Sequence, residues 1–317
     1  VKSKFTFYKM LVVILTVAIA ITLASCKSNS KTDTKENSNS AYPLTVKDQM
    51  GREVVIEKEP ERIISLAPSN TEILFALGLG DKVVGVTDYC DYPEEAKQKE
   101  KIGGFADPNM EKVLTLKPDL VLATSMHEQP VRKLEELQIP ILVLNPKNID
   151  EVLDALLLVG KVTNREKQAE ELVANLKSRV ESIEEKVSSI PEDKRPKVFY
   201  ELWPSPITSA GPGTFVHDLI ENAGGINVAS DAAKSYPEYS QEMIIEKNPD
   251  IIIFSHHGSS NQTKEDIIKR PGWENIKAIK EGKVYYVDEN IIQRPTPRLV
   301  DGLEQFAKII HPEIFKD

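Results

Sequence analysis

The sequence predicts an α/β fold of two Rossmann-like lobes joined by one long α-helix. Three observations predict it. Short β-rich runs alternate with short helical ones over residues 43–148. Helical periodicity then fills 149–190 with almost no glycine or proline. Strand–helix alternation returns over 191–317. Two similar lobes on one rigid connector make a clamshell, with a ligand cleft where the strand ends and their loops converge.

Two further segments precede the lobes. Lys2, Lys4 and Lys9 come before an apolar run over 10–24, which ends in Leu23-Ala24-Ser25-Cys26. A basic start and a 15-residue apolar core are the parts of a secretory signal over 1–25, and the run is short for a membrane span. Small residues before a cysteine resemble the lipobox of bacterial lipoproteins, which implies lipidation of Cys26 as the mature N-terminus. A short membrane anchor with an incidental cysteine is the alternative. Either way the body of the chain is expected on the outer face of the cell membrane. Residues 26–42 are polar and cannot bury enough surface to offset chain entropy, so they are expected to form a flexible tether. Cys90 is the one other cysteine. With Cys26 acylated no intramolecular disulfide can form, so the core must hold the fold and Cys90 is expected to be a partly buried thiol.

The formal charge is −9. The first 25 residues hold three lysines and no acid, so the remainder carries −12. A body this acidic lacks the basic footprint of nucleic-acid binding.

Along the first lobe, 44–48 and 52–56 flank Met50-Gly51 as a hairpin. Residues 62–67 (RIISLA) form a strand, broken by Pro68-Ser69-Asn70, and 71–77 form a helix ending at Gly78. Strands follow at 82–87, 119–123 and 139–144, with a helix at 111–116. Apolar residues at Val152, Leu156 and Val159, then Leu172, Leu176, Val180, Ile183 and Val187, recur at spacings of three and four, which predicts the connecting helix. The second lobe has strands at 197–202, 251–254 and 283–287 and a helix at 215–222.

The lobes echo one another. Asn109-Met110-Glu111 leads into KPDLVL at 117–122, and Ser240-Gln241-Glu242 leads into NPDIII at 248–253. The glutamate stands seven residues before the proline in both. Asn109 and Ser240 suit the N-cap, and a carboxylate in the first turn complements the helix dipole. Each glutamate is thus either a helix-start residue or one of a matched pair with a shared role.

Residues 62–93 and 102–123, then 207–231, 239–253 and 271–313, resemble the cobalamin- and iron-complex-binding proteins of ABC importers. The likeness runs from about residue 44 to the C-terminus and is greatest to the cobalamin binders. It implies a class III periplasmic-binding-protein clamshell and a permease partner with its cytoplasmic ATPase. It also implies a small-molecule ligand, in the order corrinoid, haem, ferric siderophore, with no resident cofactor. By resemblance, Tyr89 matches a tyrosine facing the corrinoid. Phe105 and Tyr236, six residues before Glu111 and Glu242, stand where cobalamin binding has cleft tryptophans, so aromatic character is kept and both tryptophans are replaced. Gln293 and Arg294 fall in the second-lobe loop that touches ligand. Glu111 and Glu242 match the two lobe-tip glutamates that dock on permease arginines.

Trp203, after the strand at 197–202, is a cleft candidate with core packing as the alternative, whereas Trp273 is expected to be structural. His127 follows one strand and His256 and His257 the equivalent strand of the other lobe. They are weak candidates for ligating a haem iron or a corrinoid cobalt, against exposed loop histidines. No spaced ligand set for a bare metal occurs. Gly78-Leu79-Gly80 begins like a dinucleotide fingerprint, but position 83 is valine, and no nucleophile elbow or P-loop occurs. The expectation is a binder and not an enzyme, with a surface-anchored hydrolase as the distant alternative.

Overall fold

The computed structural model describes residues 42–255 and 263–316. Cys26, His256 and His257 lie outside the described residues, as do the expected signal segment and nearly all of the tether. Alternating side chains pair β1 (Leu44–Lys47) with β2 (Glu53–Ile56) antiparallel, burying Val46, Val54 and Ile56 on one face. Gly51 turns the hairpin at φ 77°.

The strands β3 (Ile63–Ser65), β4 (Val83–Val86), β5 (Leu120–Thr124) and β6 (Ile141–Leu144) form a parallel sheet in the order β4-β3-β5-β6. Both faces are covered, so the strands read as continuous apolar runs. Ile63, Leu120, Leu122 and Leu142 enter one core cluster, and Ile64, Val121, Ala123 and Val143 enter another.

The second lobe repeats the plan. The elements β7 (Lys197–Glu201), β8 (Trp203–Pro204), β9 (Ile207–Thr208), β10 (Ile226–Asn227), β11 (Ile251–Phe254) and β12 (Val284–Tyr286) contain a parallel sheet ordered β10-β7-β11-β12, with β8 and β9 as a separate antiparallel pair. Each parallel sheet therefore places its second strand outside the first and its third on the other side. The topological switch lies between β3 and β5 in one lobe and between β7 and β11 in the other. One face of the second sheet, through Val198, Tyr200, Ile251 and Ile253, joins the same cluster as Ile63 and Leu120, so one core runs through both lobes.

The stretch expected to be a single connecting helix is two helices, Ile149–Val162 and Glu166–Ser188. Asn164 at φ 57° ends the first with neither glycine nor proline. The first helix belongs with the N-terminal lobe: Gln49 Nε2 donates to the Glu151 carbonyl (2.7 Å) and the Tyr42 hydroxyl to that of Val162 (2.9 Å). Gly160 lets the two helices pack, because a Cβ there would lie 2.4 Å from that of Ala169. The second helix, 23 residues and about 35 Å long, is the connector. Its Arg179 pairs with Asp301 and Glu304 on the last helix, Leu299–Ile310, at 2.6 and 2.8 Å.

The echo between lobes has a structural part. Asn109 Oδ1 accepts from Lys112 N (3.0 Å) and Ser240 Oγ from Met243 N (3.3 Å), so both expected N-caps are formed. The residues before the two prolines, Lys117 and Asn248, are both left-handed, at φ 48° and 46°. Asp119 then accepts from Arg62 N (2.8 Å) and Asp250 from Lys197 N (2.7 Å), so each repeated aspartate clamps the start of its lobe's first strand. The Pro-Asp half of the repeat is thereby explained by folding.

Candidate functional site

The carboxyl ends of β3, β4 and β5 carry the first wall. Ser65 Oγ donates to the Ala67 carbonyl (2.8 Å), Thr71 Oγ1 to Ser65 Oγ (2.8 Å) and Asn70 Nδ2 to the Ala123 carbonyl (3.0 Å). The loop into the helix Pro68–Ala76 is therefore fixed. Proline does not break the chain there. It opens the helix, where its missing N–H would be unpaired in any case.

After β4 the side chains alternate in and out. Cys90 is fully buried against Thr71 and Thr87, further in than the partly buried thiol expected. That anchor leaves Tyr89 and Tyr92 exposed, Tyr89 at 63%. Phe105 is half-buried, its ring edge-on to His127 at 4.9 Å.

His127 is not an exposed loop residue. It is buried, Nε2 donates to the Phe105 carbonyl (2.7 Å), and Nδ1 accepts from Thr124 N (3.0 Å). Both nitrogens are committed, and burial holds the imidazole below its ordinary pKa. It therefore holds the Phe105 backbone as well as meeting the ring edge-on.

The second wall comes from the ends of β7, β11 and β12. Tyr236 is 58% exposed and, with Gln293, Ile292, Tyr200 and Phe215, lines a pocket of about 80 Å³. Gln293 Nε2 donates to the Tyr200 hydroxyl (2.9 Å), which in turn bonds Ser255 Oγ (2.5 Å). Burial pushes the Tyr200 hydroxyl far above its ordinary pKa, so it stays neutral and available as a hydrogen-bonding group. Trp203 is exposed, with Nε1 donating to the Ser205 carbonyl (3.1 Å), which rules out core packing. Trp273 is fully buried with Arg270 over its ring, as a structural residue should be.

Four charges join the walls. The carboxylate of Glu72, on the helix Pro68–Ala76, accepts from Arg298 Nε (2.7 Å) and Nη2 (2.6 Å). The Arg298 guanidinium lies 3.9 Å from the centre of the Tyr92 ring. Arg294 Nη1 donates to Asp91 Oδ1 (2.7 Å) and reaches Glu72 Oε1 at 3.4 Å. Burial alone would raise the Asp91 pKa, but the Arg294 hydrogen bond and charge outweigh it and hold the carboxyl below its usual range. The pair is therefore complete at neutral pH and is lost only as pH falls through that depressed value.

The structure thus places Gln293 and Tyr236 on one small pocket and joins Arg294 of the same turn to Asp91, two residues from the exposed Tyr89. Among the described residues, no hydrogen bond or ring contact ties Phe105 or Trp203 to any of them. Glu111 and Glu242 are exposed in the first turns of their helices, away from these contacts. Glu72, Asp91, Tyr92, Arg298 and Tyr200 were not singled out from the sequence. Asp91 and Tyr92 stand beside Tyr89, and Glu72 is a lone charge in the apolar run TEILFAL, which was the available signal.

A model of the family described as periplasmic binding protein matches residues 63–291. The chain belongs to that family. It is 37% identical over 306 residues to the uncharacterized ABC transporter substrate-binding lipoprotein YvrC of Bacillus subtilis, covering 94% of this chain and 96% of YvrC. It is 32% identical over 247 residues to the vitamin B12-binding protein of Vibrio cholerae, covering 77% and 87%. The crystal structure of a possible iron-binding periplasmic solute-binding protein from Staphylococcus epidermidis superposes with a TM-score of 0.68 at 35% identity, covering 80% of this chain and all of that one. This periplasmic binding protein is a transport component, the substrate-binding protein of an ABC transporter of the cobalamin and iron-complex type. The class III clamshell expected from the sequence is its fold. Among the described residues no helix is long and apolar enough to cross a membrane.

Proposed function

We propose that this chain captures a corrinoid, cobalamin, outside the cell and delivers it to an ABC permease driven by a cytoplasmic ATPase. One observation carries the ligand. Exposed aromatic side chains come from both lobes, Tyr89 from one and Trp203 and Tyr236 from the other, all in segments leaving the carboxyl ends of parallel strands. Aromatic faces left to water in a cleft want a broad, partly apolar partner, and Gln293 and Arg294 supply donors for its polar rim. A corrinoid is a wide disc edged with amides. The vitamin B12-binding relative supports this choice. The possible iron-binding relative supports haem or a ferric siderophore as the second reading.

Titration of the protein with cyanocobalamin is expected to quench tryptophan emission through Trp203 with a saturable one-to-one curve. Haemin and a ferric siderophore are expected to bind at least about tenfold more weakly, the step set by 1.4 kcal/mol. Haemin binding without cyanocobalamin binding would reverse the order.

The anchor belongs to the same proposal: Cys26 carries the lipid that keeps the body at the outer face of the membrane. Cys26→Ser is expected to release the protein to the medium or leave it unprocessed, as read by fractionation and intact mass. A mature native N-terminus without lipid would remove the anchor.

A further inference from the structure

Two arginines of one turn meet two acids of the other lobe, but the pairs are built differently. Arg298 is committed. Its Nε and Nη2 both bond Glu72, its face lies on Tyr92, and the side chains of the pair are 17% and 2% exposed. Arg294 is half-committed. Both of its contacts use Nη1, and among the described residues its Nε and Nη2 bond nothing. Its main partner, Asp91, is 51% exposed. The backbone beneath is rigid: Thr296 is buried, Thr296 N donates to the Arg294 carbonyl (2.8 Å) and Arg298 N to Thr296 Oγ1 (3.2 Å). Arg294 can therefore change partner by side-chain rotation alone while Arg298 holds the turn in place.

We infer that Asp91 is a built-in competitor for Arg294, occupying in the ligand-free cleft the guanidinium that an acceptor group of the ligand takes when the cleft fills. The exchange is cheap. Asp91 returns to water, the ion pair given up is a half-exposed one worth little, and Glu72 stays paired with Arg298. An unpaired guanidinium at the cleft would attract any anion, whereas a guanidinium already satisfied by Asp91 yields only to a group that fits. Asp91 thus sets a threshold that selects for a well-placed amide carbonyl, phosphate or carboxylate and against a cation. This rests on the assignment of Arg294 to the ligand shell.

The test is titration of wild type, Asp91→Asn and Arg294→Gln with cyanocobalamin, followed by tryptophan emission. Asp91→Asn is nearly isosteric at a half-exposed site, so it is expected to fold. Removing a competitor is expected to lower Kd by about two- to fivefold, and Arg294→Gln to raise it by about tenfold or more. A merely structural Asp91 would give the opposite sign. Weaker binding by Asp91→Asn overturns the inference. So does unchanged binding by Asp91→Asn with weakened binding by Arg294→Gln, which leaves the assignment of Arg294 intact. Unchanged binding by both variants removes Arg294 from the ligand shell as well. If wild type binds haemin and not cyanocobalamin, the corrinoid reading fails and the same three chains titrated with haemin decide the role of Asp91. A wild type that binds neither removes the inference together with the reading beneath it.

Discussion

Glu72→Ala is expected to lower stability by about 3–5 kcal/mol, because it leaves the nearly buried Arg298 guanidinium without its acid. For a chain of this size that is a fall in Tm of roughly 6–15 °C. Burial alone would lower the Arg298 pKa, and hydrogen bonding and charge from Glu72 outweigh it; with Glu72 removed the guanidinium still stays charged, because arginine does not deprotonate in proteins. The contrast is Glu304→Ala, which removes a 41% exposed partner of Arg179 and is expected to cost about 1 kcal/mol or less. A third variant separates the causes. Combining Glu72→Ala with Arg298→Leu removes both charges and is expected to recover part of the loss, since what destabilises is the uncompensated cation and not the missing pair. Calorimetry on the four chains checks this. A Glu72→Ala shift no larger than that of Glu304→Ala would show that the lobes are held by the shared apolar core alone.

That pair also marks where local pattern stops being informative. The strands were legible because both sheets are covered on both faces, so 62–67, 119–123 and 251–254 read as mainly apolar runs. The clamshell was legible because such runs fall on either side of a long helical stretch. The division of that stretch at Thr163-Asn164-Arg165 was not. A three-residue turn carried by a left-handed asparagine leaves no glycine or proline, and the apolar spacing resumes on the far side. The Pro68 helix start was misread for the converse reason: a breaker in mid-helix is a good first residue.

In the site, Tyr89, Gln293, Arg294 and Tyr236 came from resemblance; Gln293 and Tyr236 line one pocket, and Arg294 pairs with Asp91. Their electrostatic partners are set by chain crossings that no window contains. Glu72 and Arg298 are 226 residues apart. Glu72 could be seen as an odd charge in an apolar helix, but only the docking of the 293–298 turn against that helix says what satisfies it. His127 shows the same limit. Its position after a strand was readable, whereas its burial and the use of both nitrogens depend on the 102–109 loop folding back over it.

Glu111→Ala together with Glu242→Ala is expected to lower uptake through the cognate permease by more than about tenfold while leaving ligand Kd within about twofold. The matched setting motivates this. In both lobes an N-capped helix presents an exposed glutamate in its first turn, and the neighbouring Pro-Asp has a structural duty that the glutamate lacks. Among the described residues Glu111 makes no side-chain hydrogen bond or ion pair. The Glu242 carboxyl is held below its ordinary pKa by its own backbone N–H and the Ser240 hydroxyl, so it is ionised at any pH where transport runs. A permease built of two equivalent halves would offer one basic site to each lobe, and one acid on each lobe would answer it. At such an interface the charges are desolvated on docking and set orientation as well as affinity. Single variants are expected to be intermediate, because one remaining contact still orients the protein. Neither glutamate lies in the connected group around Arg294, so ligand binding should not follow uptake. Both quantities are measured on the same preparations, binding by titration and uptake by accumulation of labelled ligand in cells. Undiminished uptake by the double variant, or a parallel loss of binding, would return both residues to the role of helix starts.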